Sequence, residues 1–341
     1  MCHVDGGTRA HVANRAAADE LRERIEIGHR VRLDSPGMLP GSIGGEMRSS
    51  SLAAPELLCQ GLAEIGEGPV WDERDDALIW VDIPAGRVHR YRPSDGTYDE
   101  AVVGQAVGAI VHRERGGYML AVEQGFAAWD RFGGQLELVA PVEDGIPSNR
   151  MNDGKCDPLG RFWAGTMAWD ASPHAGALYV LDCTRVVTMV LDRVTISNGL
   201  GWDMARGRMY FIDSAERRID YFAFDAETGE ISDRRPLVRF DPDDGLPDGL
   251  CVDADGSLWV AMWGGGCVRR ITPSGALDDK VSFPVANVSS CTFGGPDLSE
   301  LFVTTARSGL SSQELEEQPK AGSVFRLRPG VNGQRAGQFG G

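Results

Sequence analysis

Six short runs of bulky apolar residues recur along the chain, and each is about as long as one β-strand. Their starts lie 41 to 49 residues apart, and β-branched and aromatic residues dominate them. Gly, Asp and Pro punctuate the segments between the runs, so the pattern indicates strands rather than helices. The runs are ALIWVD at 77–82, YMLAVE at 118–123, RFWAGTM at 161–167, RMYFID at 208–213, SLWVAM at 257–262 and ELFVTT at 300–305.

Further strand candidates flank each run, so the repeating unit holds about four strands. A second apolar segment follows each run, as in RVHRY and CVRRI, and links such as IPAG and GGG are typical of hairpins. Another short strand precedes each run. A repeat of this length with four strands per unit indicates a β-propeller. We therefore predict an all-β fold, a six-bladed β-propeller with four-stranded blades; two unrelated β domains would not explain the repeat.

The N-terminal end of the repeat region supplies a strand that the C-terminal end lacks. The last unit lacks a fourth strand after SVFRLRPG at 323–330, and PELLCQG at 55–61 precedes the first unit. Pairing this N-terminal strand into the last blade closes the ring and leaves no free edge there. The sequence thus predicts a propeller over residues 51–330, with a C-terminal tail at 331–341. Residues 1–50 are expected to be a disordered or weakly helical extension, for which a functional role stays open.

Composition limits the partners and the compartment. The 341 residues include 34 Lys and Arg against 50 Asp and Glu, a formal net charge of -16, which argues against nucleic acid or an anionic membrane. Seven Cys without a CxxC pair indicate reduced thiols in a cytoplasmic protein rather than a disulfide framework. No segment is long and apolar enough to span a bilayer. We expect a monomer or a weak homo-oligomer that binds a small molecule.

A short phrase opens the innermost strand of each predicted blade, as in SNGLGWD at 197–203 and PDGLCVD at 247–253. Equivalent positions of a propeller converge at one mouth of its central channel. The residues just before the glycines of this phrase include Glu67, Asp153, Asn198 and Asp248. For one Asp-Gly pair a plain turn is the simpler reading, but several pairs at equivalent points of a repeat favour a site.

Carboxylates held this close repel one another, and a divalent cation cancels that repulsion. Oxygen ligands from Glu, Asn and Asp suit a hard ion such as Ca²⁺, Mg²⁺ or Mn²⁺. Protein ligands are too few to fill the coordination shell, so water or substrate would complete it. Such an open position is what metal-assisted hydrolysis requires.

At these residues the sequence resembles the regucalcin and gluconolactonase family of six-bladed propellers, which are metal-dependent sugar lactonases. GEGPVWD at 66–72, RMNDGKCDPLGRFWAGTM at 150–167, SNGLGWD and PDGLCVD carry the resemblance, which covers about residues 56–330. It implies Glu67, Asn198 and Asp248 as metal ligands. It does not fix the ion: we expect Ca²⁺, with Zn²⁺, Mg²⁺, Mn²⁺ and Fe²⁺ as alternatives.

The resemblance implies further roles around the metal. Arg150 and Asn152 match positions that contact the substrate, and Asp153 lies beside them near the metal. Asp170 falls where some members place a substrate-binding Glu, although it is one methylene shorter. The expected reaction is hydrolysis of a sugar lactone to the aldonic acid, with Asp248 or Asp153 as the general base. The alternatives are a non-enzymatic calcium- or ligand-binding regulator and a related esterase or phosphotriesterase.

Overall fold

Six antiparallel sheets of four strands each form the blades of a propeller in the computed structural model, which describes residues 54–341. The innermost strand of every blade contacts the innermost strands of its two neighbours, and the last blade contacts the first. The strands therefore form a closed ring around a channel, which confirms the predicted six-bladed β-propeller. The predicted N-terminal extension, residues 1–50, lies outside the described residues.

Each blade runs from the channel outward in chain order. The first three blades contain β2 to β13, which are Gly66–Asp72, Ala77–Asp82, Arg87–Arg92, Thr97–Val102, Val107–His112, Tyr118–Val122, Gly125–Trp129, Leu136–Pro141, Asn149–Cys156, Phe162–Ala168, Gly176–Leu181 and Val187–Val194. The next two contain β14 to β21, which are Ser197–Asp203, Arg208–Asp213, Arg218–Phe224, Ile231–Arg239, Leu246–Val252, Leu258–Trp263, Cys267–Ile271 and Leu277–Ser282.

The sixth blade joins both ends of the propeller. It contains β22 (Val288–Gly294), β23 (Glu300–Thr305), β24 (Val324–Leu327) and, as its outermost strand, β1 (Glu56–Cys59). A short helix, α1 (Ser312–Glu317), lies between β23 and β24. Antiparallel pairing of β1 with β24 covers the edge that β24 would otherwise expose. The predicted closure of the ring by an N-terminal strand is thus confirmed.

Aromatic side chains fill the spaces between neighbouring blades. Trp71 of the first blade stacks on Phe302 of the sixth, with ring centroids 5.3 Å apart. Trp163 of the third blade meets Trp202 of the fourth edge-on at 5.9 Å. Such pairs bury large apolar areas in a favourable ring geometry, so the recurring tryptophans of the repeat hold adjacent blades together.

The C-terminal residues lie across the ends of the innermost strands remote from the predicted site. Gly333 pairs with Asp253, and Phe339 pairs with Arg113. The Phe339 side chain is fully buried between the second and third blades. This end of the ring is therefore covered by the chain itself, and the opposite mouth is where the predicted functional residues lie.

Neither membrane helices nor disulfides appear among residues 54–341. No described helix has the length and apolar character needed to cross a bilayer. The six cysteines of this part of the chain are all free, as the odd cysteine count and the absence of CxxC pairs predict.

Candidate metal and substrate site

Every innermost strand changes its pairing register at the position of the predicted site residues. The shift falls between Glu67 and Val70 in β2, between Ser197 and Leu200 in β14 and between Pro247 and Leu250 in β18, and the other three blades have equivalent shifts. A β-bulge bends a strand and redirects the side chain at the extra residue. The bulges in β2, β14 and β18 coincide with Glu67, Asn198 and Asp248, whose side chains line the channel mouth.

The glycines of the repeated phrase allow neighbouring blades to approach closely. A Cβ atom added to Gly199 would lie 2.6 Å from the Asp248 carbonyl oxygen, and one added to Gly249 would lie 2.0 Å from Ser290 Oγ. Among the glycines of the phrase only Gly68 has a left-handed φ, of 51°, so close contact between blades explains most of them.

Five of the predicted residues line one cavity at this mouth: Glu67, Arg150, Asn152, Asn198 and Asp248. The cavity has a volume of about 90 Å³. The five side chains are 4 to 6% exposed. Closure of the ring therefore brings together groups that are up to 181 positions apart in the sequence.

The remaining predicted residues take other places. The Asp153 carboxylate accepts the Gly154 N–H at 2.7 Å, and this residue is not part of the cavity wall. Asp170 is also absent from the wall, and its carboxylate accepts hydrogen bonds from the Ser172 N–H at 3.0 Å and hydroxyl at 2.8 Å. Asp170 thus shapes the turn after β11 rather than facing the cavity.

The carboxyl groups of Glu67 and Asp248 lie close enough to influence each other's ionisation. Burial raises the pKa of both well above the ordinary range, and the neighbouring carboxyl groups raise it further. Burial also raises the pKa of Asp153, while the Lys155 ammonium opposes that rise. The mouth therefore brings together buried carboxyl groups whose ionised forms a bound cation would stabilise.

Arg150 is a buried cation close to Asp248 and is held on two sides. Its guanidinium lies over the Trp169 ring at 5.0 Å from the centroid, and Nη1 donates to the Asn152 Oδ1 at 2.6 Å. Burial lowers the pKa of Arg150 to about 10, so it stays charged at neutral pH. Its buried Nε has no hydrogen-bond partner among the described residues.

A single chain of hydrogen bonds crosses the mouth from the third blade to the fifth. Asn152 Nδ2 donates to Asn198 Oδ1 at 2.8 Å, and Asn198 Nδ2 donates to Ser214 Oγ at 2.7 Å. The Ser214 hydroxyl then donates to the Pro247 carbonyl at 2.6 Å. Ser214, the first residue of a short 3₁₀ turn after β15, also lines the cavity, and sequence reasoning missed it.

Two buried acids hold the strands that carry Glu67 and Asn198, and sequence reasoning missed these as well. Asp82 accepts the Glu64 and Ile65 N–H groups at 3.0 and 3.1 Å, just before β2. Asp213 accepts the two N–H groups just before β14 at 2.8 and 3.0 Å. The available signal was the Asp that ends both ALIWVD and RMYFID.

The donor set at the mouth fits a hard divalent cation. Among residues 54–341 no group of three or more His, Cys, Asp or Glu side chains is arranged to hold a metal ion. The candidate set instead combines the Glu67 and Asp248 carboxylates with the Asn198 amide, and oxygen donors of these kinds suit Ca²⁺, Mg²⁺ or Mn²⁺. A cation there would stabilise the ionised forms of two buried carboxyl groups whose pKa values burial raises.

One known protein family matches most of the propeller. The model described as "SMP-30/Gluconolactonase/LRE-like region" matches residues 65–307. The chain belongs to this family. The resemblance to regucalcins and gluconolactonases, predicted from the motifs, is thereby confirmed.

Relatives of this family cover nearly the whole described chain. Regucalcin of Xenopus laevis is 39% identical over 270 residues, which are 77% of this chain and 90% of the relative. A solved luciferin-regenerating enzyme has a TM-score of 0.79 at 36% identity, over 84% of this chain and 100% of that one. A calcium-binding protein, regucalcin, from Agrobacterium tumefaciens has a TM-score of 0.80 at 27% identity, over 84% and 97% of the two chains.

Proposed function

We propose that the protein is a divalent-cation-dependent lactonase that hydrolyses a sugar lactone to the corresponding aldonic acid. The observation that carries the proposal is the buried set of Glu67, Asn198 and Asp248 on one cavity with Arg150 and Asn152. Membership in a family whose description includes gluconolactonase supports the reaction class. Ca²⁺ is the favoured ion, because a related structure is described as a calcium-binding protein.

Glu67, Asn198 and Asp248 would hold the cation, and a cation bound there would supply Lewis-acid polarisation of the lactone carbonyl. Arg150 and Asn152 orient the lactone by hydrogen bonds to its oxygen atoms, and the rigid stacking of Arg150 on Trp169 limits their movement. Held in this way, the lactone presents its carbonyl carbon to a water molecule.

Asp248 is better placed than Asp153 to act as the general base. Asp248 lines the cavity, whereas Asp153 does not. The carboxylate takes a proton from water as the water oxygen bonds to the carbonyl carbon. The ring C–O bond then breaks, and the same proton passes to the ring oxygen, which becomes the hydroxyl group of the aldonic acid.

The test is acid release from glucono-, xylono-, arabinono- and galactono-lactones by metal-stripped protein, with Ca²⁺, Mg²⁺, Mn²⁺ or Zn²⁺ added back singly. We expect hydrolysis only with an added ion, and a loss of at least about 100-fold in Asp248→Asn. Asp130→Asn is the matched control, because Asp130 is an exposed acid on the second blade. Equal rates with and without ions would contradict the proposal.

The same experiment separates the lactonase from a calcium-binding regulator, which the Agrobacterium relative's description favours. A regulator would bind Ca²⁺ with similar dependence on Glu67 and Asp248 but would hydrolyse none of the lactones. An aryl ester and a phosphotriester added to the panel separate the lactonase from the related hydrolases.

A further inference from the structure

Ser214 stands out because its hydroxyl group has only one possible hydrogen-bonding arrangement. Its side chain is buried and contacts the Pro247 carbonyl and the Asn198 side-chain nitrogen. A carbonyl oxygen can only accept a hydrogen bond, so the single hydroxyl proton is directed at Pro247. The Ser214 oxygen must therefore accept, and only the NH₂ group of Asn198 can donate to it.

The opposite end of the hydrogen-bond chain is equally fixed. An arginine side chain only donates, so Arg150 Nη1 requires the oxygen of the Asn152 amide as its partner. Asn152 Nδ2 then donates to Asn198 Oδ1 and to the Ser197 carbonyl at 2.7 Å. With a donor at one end and an acceptor at the other, both amides have a single allowed orientation.

We propose that Ser214 is a positioning residue that makes Asn198 present its amide oxygen, and not its NH₂ group, to a divalent cation. The terminal torsion of an asparagine has two nearly equivalent settings unless hydrogen bonds distinguish them. The wrong setting would direct the NH₂ group at the ion. The amide oxygen has two lone pairs, so it accepts from Asn152 and still has one for the cation.

The repeat itself provides independent support, because the residue equivalent to Ser214 differs where the ligand differs. Ser214 follows the run RMYFID, as Ile83 follows ALIWVD and Trp263 follows SLWVAM, and all three line the cavity. In the blades with Ile83 and Trp263 the candidate ligands are Glu67 and Asp248. A carboxylate offers oxygen in either setting and needs no orientation, and only the blade with an amide ligand carries a hydroxyl at this position.

The inference rests on the proposed function only in requiring a cation at Glu67, Asn198 and Asp248. Its test is a cycle of Ser214→Ala and Asn198→Asp, with Ca²⁺ binding to the metal-stripped full chain measured by calorimetry. Ser214→Ala should raise the Kd for Ca²⁺ about 10- to 100-fold, the usual effect of removing a group that orients a ligand. In the Asn198→Asp background the same change should alter the Kd by no more than about threefold, since both carboxylate atoms are oxygens.

Ser323→Ala is the matched control. Ser323 is 1% exposed against 2% for Ser214, and it exchanges hydrogen bonds with the Gly61 backbone in the sixth blade. It should leave the Kd within about threefold, which separates loss of a buried hydroxyl from loss of ligand orientation. Circular dichroism and thermal melting check folding, and Ser214→Gly replaces Ser214→Ala in the cycle if the latter does not fold.

Equal losses in both backgrounds, or no loss with Asn198 in place, would overturn the role of Ser214. Failure to hydrolyse any lactone, with Ca²⁺ bound and the cycle as expected, would refute the lactonase and leave the Ser214 inference standing. An unaltered chain that binds no divalent cation would overturn both.

Discussion

Binding of a divalent cation should release protons, because burial raises the pKa values of two candidate ligands. Glu67 and Asp248 are buried on the same cavity, and the pKa of each is raised well above that of an ordinary carboxyl group. If the pair shares one proton before binding, the ion displaces one proton. If both groups are protonated, it displaces two.

The number of protons displaced determines how steeply the Ca²⁺ affinity depends on pH. Each proton displaced makes the Kd fall about tenfold for every unit of pH increase, so Ca²⁺ affinity should rise about 10- to 100-fold per unit. The dependence should hold below the raised pKa values of the two groups in the metal-free protein and disappear above them. Calorimetry in buffers with different ionisation enthalpies, between about pH 5 and 8, counts the protons directly.

Matched variants locate the protons. Glu67→Gln and Asp248→Asn each remove one titrating ligand with little change in size, so each should lower the proton count by about one. Asp130→Asn, at an exposed acid, should leave the count unchanged. Tight Ca²⁺ binding without proton release, or a count unaffected by both site variants, would refute the assignment of Glu67 and Asp248 as ligands.

Three further predictions concern stability. The melting temperature of the metal-free protein should fall as pH rises above about 4. The raised pKa values of Glu67 and Asp248 make the folded state bind more protons than the unfolded state, so folding loses stability as these protons leave. Addition of Ca²⁺ should restore the melting temperature. Trp163→Phe removes the 3.0 Å bond from Nε1 to the fully buried Asp157 carboxylate and should cost about 1–3 kcal/mol in urea unfolding. Deleting residues 1–60 removes β1 and exposes the β24 edge, so we expect a lower urea midpoint and concentration-dependent association in sedimentation.

The six-bladed ring and the location of its candidate site follow from local patterns in the sequence. Alternating apolar runs and glycine-rich turns specify strands, and their spacing specifies six blades of four. Once the blades close, equivalent positions must meet, so Glu67, Asn198 and Asp248 could be placed at one mouth from sequence alone. Pairing of β1 with β24 was also predictable, because the last repeat unit lacks a fourth strand and the N-terminal strand belongs to no other unit.

The rest depends on contacts between blades that no local pattern encodes. Ser214 touches Asn198 and Pro247, which are 16 and 33 positions away, and nothing in the turn sequence marks its hydroxyl as a partner of both. Asp153 and Asn152 are neighbours in sequence, yet only Asn152 reaches the cavity. Both residues lie where the pairing register of β10 shifts, and such a shift is a property of paired strands rather than of one strand.

The most direct test of the account is the position of a bound ion. A crystal of the protein soaked with Mn²⁺ should show one anomalous peak at the channel mouth, within bonding distance of side-chain oxygens from Glu67, Asn198 and Asp248. A peak bound elsewhere, with these three side chains still in contact only with protein and water, would contradict the central claim.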